Sequence, residues 1–301
     1  SDKLFKILDT PEDERGTQIP ASFDSDIRLE NVTFSYDGEK PVLNGISADI
    51  PKNSLVSVVG ESGCGKSTLG RTILRLEQAT DGEVLFEGEN ILAYNKKQLR
   101  TLRQKMQIIF QDPYSSLNPR NTVYQLIADQ LIVNKIYKDK SELENRVLEL
   151  MDIAGLAPRL VNSYPHELDG GRRQRIGLAR ALSMKPEFIV CDEPVSALDV
   201  SIQAQIINLL KQLQKDFGFT YLFISHDLSV VEHISDTVVV MYLGSMVEYA
   251  DTDKIFSKPL HPYTEALFSA IPVPDPDVKM QRIILQGSLP SPANPPAGCK
   301  F

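Results

Sequence analysis

A glycine-rich stretch, GESGCGKST, lies between an apolar run and a predicted helix. It fits the pattern G-x-x-x-x-G-K-[ST] and directly follows LVSVV (55–59), a predicted buried strand. Glycines in this pattern let backbone N–H groups turn towards phosphate oxygens, and the helix N-terminus adds a positive dipole end. The stretch therefore predicts a site for nucleotide phosphates, formed by Gly60, Glu61, Ser62, Gly63, Cys64, Gly65, Lys66, Ser67 and Thr68.

Two pairs of side chains have the chemistry that phosphoryl transfer requires. Lys66 would place a positive charge on the β- and γ-phosphates, and the hydroxyl of Ser67 would bind Mg²⁺. The apolar run FIVCDEP (188–194) ends in adjacent carboxylates, Asp192 and Glu193, and ligands of α/β proteins collect at the carboxyl ends of strands. We therefore expect Asp192 to hold Mg²⁺ through water and Glu193 to act as general base on the attacking water.

Two further candidates follow predicted strands of the same sheet. His226 ends the apolar run in FISHD, one strand further along the sheet edge, which would bring it within reach of the γ-phosphate. Gln111 follows MQIIF in the same way, although a glutamine alone carries little information about function. The significance of both residues depends on the elements that surround them.

The elements that must position these residues change character along the chain. From Ile27, IRLENVTFSY and PVLNGISADI alternate apolar and polar residues around the turn DGEK, and they predict antiparallel strands. A helix is predicted from about Lys66 to Glu77, and residues from about 115 to 185 lack strand signals and predict helices. Strands and helices then alternate, with a hairpin turn at Leu243-Gly244. This order predicts an α/β fold with a mostly parallel sheet and helices on both faces.

Composition limits the classes of function. The chain has 301 residues, with 32 basic and 40 acidic side chains, and its net charge of −8 argues against a broad nucleic-acid-binding surface. No apolar run approaches the roughly 20 residues of a membrane-spanning helix, so a role at a membrane would require a partner. The three cysteines, Cys64, Cys191 and Cys299, are an odd and sparse set that indicates reduced thiols rather than a disulfide framework.

Taken in order, the motifs resemble those of ATP-binding-cassette (ABC) ATPases: FSYDG, GESGCGKST, FQDP, LDGGRRQR, FIVCDEP, SALD and SHD. This resemblance implies that ATP and Mg²⁺ bind and that Tyr36 stacks on the adenine ring, a contact that suits an aromatic face. It also implies that Gln111 senses Mg²⁺ and the attacking water, that His226 is the switch residue and that Asp199 contacts an opposite subunit.

The resemblance also implies a division of the chain. Residues 1–26 would be an N-terminal segment or linker, and residues 27–250 the ABC ATPase domain, with a helical subdomain at about 113–185. Residues 251–301 would form a Pro-rich C-terminal extension. The implied fold is a P-loop NTPase core with a mostly parallel sheet, an N-terminal antiparallel β subdomain and an inserted α-helical signature subdomain.

Two longer segments resemble a narrower group. IIFQDPYSSLNPR (108–120) and KPLHPYTEALFSAIP (258–272) are similar to the ATPase subunits of oligopeptide, dipeptide and nickel importers. This implies a subunit at the cytoplasmic face of the cell membrane that binds permease subunits and works with an extracytoplasmic substrate-binding protein. Oligopeptides or dipeptides are the expected cargo, and nickel is an alternative. In some of these relatives several cysteines of the tail hold an iron–sulfur cluster, but one thiolate, Cys299, cannot hold a four-cysteine cluster. Either the natural chain continues into such a motif or it lacks the cluster, and we expect none in these 301 residues.

Other interpretations remain open. LFKILDTPEDE followed by IRLENVTFSYDGEKPVLNGIS is similar to the linker and first strands of exporter half-transporters. A soluble ABC ATPase of DNA repair or translation would be expected to show two cassettes, a long coiled-coil insertion or a basic surface, and the sequence shows none of these. A structural subunit that binds ATP without hydrolysing it is disfavoured by the acid pair and His226.

The stretch LDGGRRQR departs from the usual family signature, LSGGQRQR, at two positions. The family binds ATP between the phosphate loop of one subunit and the signature of a second one, which is the same or a paralogous chain. An ionised Asp169 cannot donate the hydrogen bond of a serine hydroxyl. However, Asp caps a helix as well as Ser does, Arg172 balances its charge, and Gly170 and Gly171 leave the backbone N–H groups free. Our hypothesis is a tolerated variant in a working site, and a degenerate signature is the alternative.

Overall fold

The computed structural model describes residues 27–38, 40–271, 283 and 301. The predicted N-terminal segment, most of the Pro-rich tail and Cys299 lie outside the described residues. Within them, the strands are β1 (Ile27–Phe34), β2 (Leu43–Ile50), β3 (Leu55–Val59), β4 (Asp81–Phe86), β5 (Glu89–Asn90), β6 (Met106–Ile109), β7 (Phe188–Asp192), β8 (Thr220–Ile224), β9 (Thr237–Tyr242) and β10 (Ser245–Asp251).

The same described ranges contain α1 (Lys66–Ile73), α2 (Lys96–Lys105), α3 (Pro113–Ser116), α4 (Val123–Val133), α5 (Lys140–Ile153), α6 (Gly170–Leu182), α7 (Val200–Phe217), α8 (Leu228–Ile234), α9 (Thr252–Ser257) and α10 (Pro262–Phe268). Short 3-10 helices lie at Ile91–Ala93, Pro158–Leu160 and Pro165–Glu167. None of the described helices is long and apolar enough to cross a membrane.

The first part of the described chain forms an antiparallel sheet with the order β2-β1-β4-β5. In β1, Ile27, Leu29, Val32 and Phe34 are buried, whereas Arg28 and the other polar side chains between them are mostly exposed. This alternation is typical of a sheet with one face on the core and one face in solvent. The predicted antiparallel pairing of the first two strands is confirmed, with Leu29 opposite Ala48 in β2.

The second sheet has the order β10-β9-β3-β8-β7-β6, and its strands are parallel except for the β9–β10 hairpin. Every residue of β3, β7 and β8 is buried, as expected for parallel strands covered on both faces. The phosphate loop follows β3, Asp192 ends β7, and Glu193 comes directly after it. Because parallel strands place their carboxyl ends along one edge, the candidate residues after β3, β6, β7 and β8 come together there.

Helices alone connect β6 to β7, and the structure describes this whole connection. Helix α4 begins with a capping box, in which the Thr122 side chain accepts a hydrogen bond from the Gln125 N–H and the Gln125 side chain accepts one from the Thr122 N–H. Its buried face, with Leu126 and Ile127, packs in one apolar cluster with Val147 of α5 and Ile176 of α6. The predicted helical character of residues 115 to 185 is confirmed.

The structure confirms one local prediction and corrects another. The hairpin turn at Leu243-Gly244 is confirmed, since both residues have positive φ angles, 44° and 76°, as a two-residue turn between twisted strands requires. The helix predicted to run to Glu77 ends earlier, at Ile73. Arg75 adopts a left-handed conformation with φ 55°, which stops helical hydrogen bonding before the predicted end.

Candidate functional site

The phosphate loop (residues 60–68) takes a shape that its glycines permit. Gly60 has φ 148°, and a Cβ there would lie 2.2 Å from the Met241 carbonyl oxygen, so only glycine fits. Gly63 and Gly65 also have positive φ, 84° and 103°, and Gly65 caps the start of α1. A larger residue at these positions would strain the backbone or meet its neighbours, so the glycines shape the concave loop directly before the positive end of a helix.

Lys66 lies folded back across this loop. Its ammonium donates hydrogen bonds to the carbonyl oxygens of Gly60 at 2.6 Å and Glu61 at 2.9 Å, and it lies 3.8 Å from the Cys64 sulfur. Lys66 is only 5% exposed. Burial raises the pKa of the Cys64 thiol, while the Lys66 charge acts in the opposite direction. The single cation of the loop therefore lies against two carbonyl oxygens of the loop itself.

Ser67 and Asp192 form the second feature of the site. The Ser67 hydroxyl donates a hydrogen bond of 2.6 Å to Asp192 Oδ1, and the Arg71 guanidinium lies 4.0 Å from Asp192 Oδ2. Asp192 is 2% exposed, and burial raises the pKa of its carboxyl, while Ser67 and Arg71 act in the opposite direction. A hydroxyl and a carboxylate side by side are the hard oxygen donors that Mg²⁺ prefers, and Mg²⁺ needs few protein ligands because it keeps several waters.

Glu193, at the end of β7, is held by residues from the ends of both neighbouring strands, β6 and β8. Gln111 Nε2 donates to Glu193 Oε2 at 2.8 Å, and His226 Nδ1 lies 3.3 Å from the same oxygen. The Glu193 backbone has φ 47°, and its N–H donates to the carbonyl oxygen of Ile224, the last residue of β8. The described hydrogen bonds join Gln111 to Glu193 and not to Ser67 or Asp192. The structure thus brings the three predicted catalytic residues into contact.

Tyr36 stands apart from this cluster. Its ring is 66% exposed and packs edge-on against Phe34, with centroids 4.7 Å apart. It borders a cleft of about 300 Å³ that is also lined by Lys40, Val42 and Gly63 of the phosphate loop. A free aromatic face beside the phosphate loop can stack on a planar base.

The signature residues form a separate group at the start of α6 and directly before α7. Asp169 caps α6, with Oδ1 accepting from the Arg172 N–H at 2.8 Å and Oδ2 lying 3.4 Å from Arg172 Nε. A Cβ at Gly171 would lie 2.5 Å from the Ile202 side chain, so this glycine allows α6 to approach α7. Asp199, which directly precedes α7, is exposed. None of the described hydrogen bonds or ion pairs joins these residues to residues 60–68.

Comparison with known proteins bears on this arrangement. A family model described as "ABC transporter" matches residues 43–196, about half of the chain, and one described as "Oligopeptide/dipeptide transporter, C-terminal region" matches residues 247–301. The oligopeptide transport ATP-binding protein OppF of Bacillus subtilis is 56% identical over 82% of this chain and 81% of its own length. AppF of the same organism, also named an oligopeptide transport ATP-binding protein, is 52% identical over 88% of this chain and 81% of its own. The chain belongs to the ABC transporter family.

Solved structures agree with this ABC transporter assignment. The structure of cbiO1 from Clostridium perfringens, part of the ABC transporter complex cbiONQ, has a TM-score of 0.71 at 28% identity, and the match covers 77% of this chain and 90% of that one. The ATP-binding cassette MJ0796, in a dimeric post-hydrolysis state bound to ADP and Pi, has a TM-score of 0.68 at 30% identity, with 75% and 98% covered. The predicted family, the fold class and the activity as a transport ATPase are confirmed.

Sequence reasoning missed three residues of the site in this ABC transporter subunit. Arg71 approaches Asp192 and lies four residues after Ser67, on the same face of α1, a spacing that could have identified it. Gly244 donates its N–H to the Cys64 carbonyl of the phosphate loop at 3.0 Å. Tyr263 contacts Glu61, and no local pattern signals that contact, because 202 residues separate the two.

Proposed function

We propose that this ABC transporter subunit hydrolyses ATP at the edge formed by β3, β6, β7 and β8, and that it thereby powers the import of oligopeptides or dipeptides. The observation that carries the proposal is the position of Glu193, held by Gln111 and His226 beside the Ser67–Asp192 pair. Peptides are the cargo that the names of the relatives OppF and AppF and the match of the C-terminal region support.

The phosphate loop would bind the triphosphate. Its backbone N–H groups and Lys66 would hold the phosphate oxygens, and Tyr36 would stack on the adenine ring across the adjoining cleft. Ser67 and Asp192 would hold Mg²⁺, with Gln111 beside it. When bound, Mg²⁺ neutralises charge on the phosphate oxygens.

Glu193 would act as general base on the water that attacks the γ-phosphate. Its side chain accepts a hydrogen bond from Gln111, an uncharged donor that orients the group. A positioned base of this kind contributes about a hundredfold to ten-thousandfold to a rate. His226 is 57% exposed at its side chain and would reach the departing phosphate from the next strand.

A second nucleotide-binding subunit would complete the site. Asp169, Gly170, Gly171, Arg172 and Asp199 have no described contact with the phosphate loop of their own chain, which supports a role at the ATP of an opposite subunit, identical or paralogous. Residues 27–250 would act as the ATPase domain, with residues 113–185 as the subdomain that carries the signature.

A groove outside the nucleotide site supports contact with permease subunits. It has a volume of about 460 Å³ and lies between α2, β6 and α4, with Leu76, Val133 and Met184 among its lining residues. Val133 is 67% and Leu76 47% exposed, which leaves apolar surface open in a subunit with no described membrane-spanning helix. A permease helix docked here would hold the chain at the cytoplasmic face of the membrane, and an extracytoplasmic substrate-binding protein would deliver the peptide.

The test compares two acid-to-amide changes at opposite ends of β7. Glu193→Gln should lower the rate of ATP hydrolysis at least a hundredfold and leave ATP binding intact, because it removes the base but keeps the shape. Glu187→Gln, just before β7 and remote from the phosphate loop, should leave both unchanged. Phosphate release with Mg²⁺ and binding of a fluorescent ATP analogue are the measurements. Hydrolysis by Glu193→Gln at the native rate would refute the assignment.

A further inference from the structure

Within the described part of the C-terminal extension, the hydroxyl group of Tyr263 contacts the phosphate loop. Tyr263 Oη accepts a hydrogen bond of 3.2 Å from the backbone N–H of Glu61, the second residue of the loop. Tyr263 is fully buried, and it belongs to α10, well outside the residues that match the ABC transporter family model. A loop that serves the nucleotide is thus held by a residue that comes long after the ATPase motifs.

The position of Tyr263 is fixed by packing. Its ring lies 4.5 Å from that of Tyr242, the last residue of β9. Both tyrosines belong to one apolar cluster with Val59, which directly precedes the phosphate loop, and with Ile255 of α9. A fully buried aromatic ring in a packed core has one position, so its hydroxyl is presented to Glu61 at a fixed place.

Hydrogen bonds hold the chain just before Tyr263. The Glu248 carboxylate of β10 accepts backbone N–H groups from Leu260 at 2.8 Å and His261 at 3.1 Å. His261 Nδ1 then accepts the N–H of Tyr263 at 3.1 Å and caps α10. These contacts connect β10, through His261 and Tyr263, to the phosphate loop.

We infer that Tyr263 is a positioning residue for the phosphate loop and that the C-terminal extension is thereby part of the ATP-binding apparatus. Glu61 is held from both sides, since Tyr263 accepts from its N–H and its carbonyl accepts from Lys66. The loop is therefore ordered before the nucleotide arrives. This inference rests on the proposed role of the phosphate loop in binding ATP.

The test removes the hydroxyl and keeps the ring. Tyr263→Phe leaves the Glu61 N–H without its acceptor, and ATP must then order the loop on binding. We expect affinity for ATP and ADP to fall about three- to tenfold, the range that one hydrogen bond supports. The KM for ATP should rise by the same factor while kcat changes less than twofold, because the chemistry of Glu193 is untouched.

Tyr221→Phe is the matched control. Tyr221 is also fully buried, and its hydroxyl has no hydrogen-bond partner among the described residues. Removal of that hydroxyl should leave nucleotide affinity unchanged. Loss of affinity in both variants to the same extent would mean a general effect of core substitution and would overturn the inference.

Hydrogen–deuterium exchange provides a local measurement in the absence of nucleotide. In Tyr263→Phe, the peptide that contains residues 60–66 should exchange faster, while β7 keeps its native exchange rate. If Tyr263→Phe does not fold, Glu248→Gln weakens the same connection, and we expect at least twofold weaker ATP binding with faster exchange of that peptide. The inference would be overturned if the measured variant kept both the native affinity for ATP and the native exchange rate of the peptide that contains residues 60–66.

Lys66→Ala separates this inference from the proposed function. If Lys66→Ala loses nucleotide affinity and Tyr263→Phe keeps both native affinity and native exchange, the positioning role alone is wrong. If Lys66→Ala binds ATP with native affinity, the proposed role of the phosphate loop is wrong, and the inference fails with it.

Discussion

Asp169 occupies the position at which a serine is usual in the family signature, and the structure gives it a definite task. Its carboxylate caps α6 through the Arg172 N–H and also lies beside the Arg172 side chain. Both side chains are about half exposed, so the ion pair itself contributes little, whereas the cap satisfies an otherwise free donor. Aspartate at this position therefore keeps the cap at the start of α6, and the Arg172 side chain compensates its negative charge.

Substitutions at Asp169 should separate the cap from the charge. Asp169→Ala should lower the free energy of unfolding by about 1 kcal/mol, and Asp169→Ser should change it by less than half of that, because serine caps equally well. Urea unfolding measures both. The control is Asp139, which caps α5 by accepting the Glu142 N–H. Asp139→Ala and Asp139→Ser should change the free energy of unfolding as the two Asp169 variants do, and neither should change ATP hydrolysis.

The activity of a reverted signature tests the hypothesis of a tolerated variant. We expect Asp169→Ser combined with Arg172→Gln to hydrolyse ATP within about threefold of the native chain, because the backbone N–H groups of α6 are the same in both. A gain in rate or in ATP-dependent dimerisation far beyond that would instead identify LDGGRRQR as a degenerate signature.

The β9–β10 turn supports the phosphate loop through a backbone hydrogen bond. Gly244 has φ 76° and donates its N–H to the Cys64 carbonyl. A Cβ at Gly244 would lie 2.3 Å from the Val42 carbonyl oxygen, a distance that forces the backbone to move. The turn, the phosphate loop and the start of β2 therefore fit together only with glycine at this position.

Two glycine substitutions should reveal this close fit. Gly88 has φ 80° in the equivalent position of the β4–β5 turn, where a Cβ would meet nothing within 4 Å. Gly88→Ala should cost about 1 kcal/mol of stability from the left-handed backbone alone. Gly244→Ala should cost about 3 kcal/mol and also weaken ATP binding, as measured by thermal unfolding and nucleotide titration. Equal losses in the two variants would contradict the close fit.

Individual elements differ in how well the sequence predicts them. β3, β7 and β8 are short apolar runs bounded by motifs. The apolar pattern therefore predicts that they are buried strands, and it predicts that the site residues lie at their ends. Helix α2 has the sequence KKQLRTLRQK with only two apolar residues, Leu99 and Leu102, and this apolar pattern does not predict a helix. Its signal is instead the capping box of Asn95 and Gln98, a local hydrogen-bond pattern that apolar periodicity does not detect.

At the scale of the whole molecule, the groove beside α2 and α4 joins surfaces that are distant in sequence. Leu76 follows α1 and Val133 ends α4, and neither position carries a recognisable motif. The contact of Tyr263 with Glu61 has the same character. Motifs predict which residues meet at one sheet edge, whereas contacts that depend on how helices and the C-terminal extension pack require the three-dimensional structure.

A substitution in the groove should separate assembly from catalysis. Val133→Gln should leave ATP hydrolysis by the isolated chain unchanged and weaken its co-purification with permease subunits at least tenfold, because it places a polar group on apolar docking surface. Leu260→Gln, at a side chain that is 80% exposed elsewhere, should do neither. Full co-purification of Val133→Gln would argue for a different permease surface.

The hydrogen bonds of Lys66 have a thermodynamic consequence for the phosphate loop. Its ammonium already has two acceptors, the carbonyls of Gly60 and Glu61. If Lys66 binds the triphosphate as proposed, binding would exchange one set of hydrogen bonds for another, and the net gain would come from matching a cation with an anion. In the proposed mode of binding, these two carbonyl oxygens hold the place of the phosphate oxygens, so departure of the product would return the lysine to acceptors that belong to the protein itself.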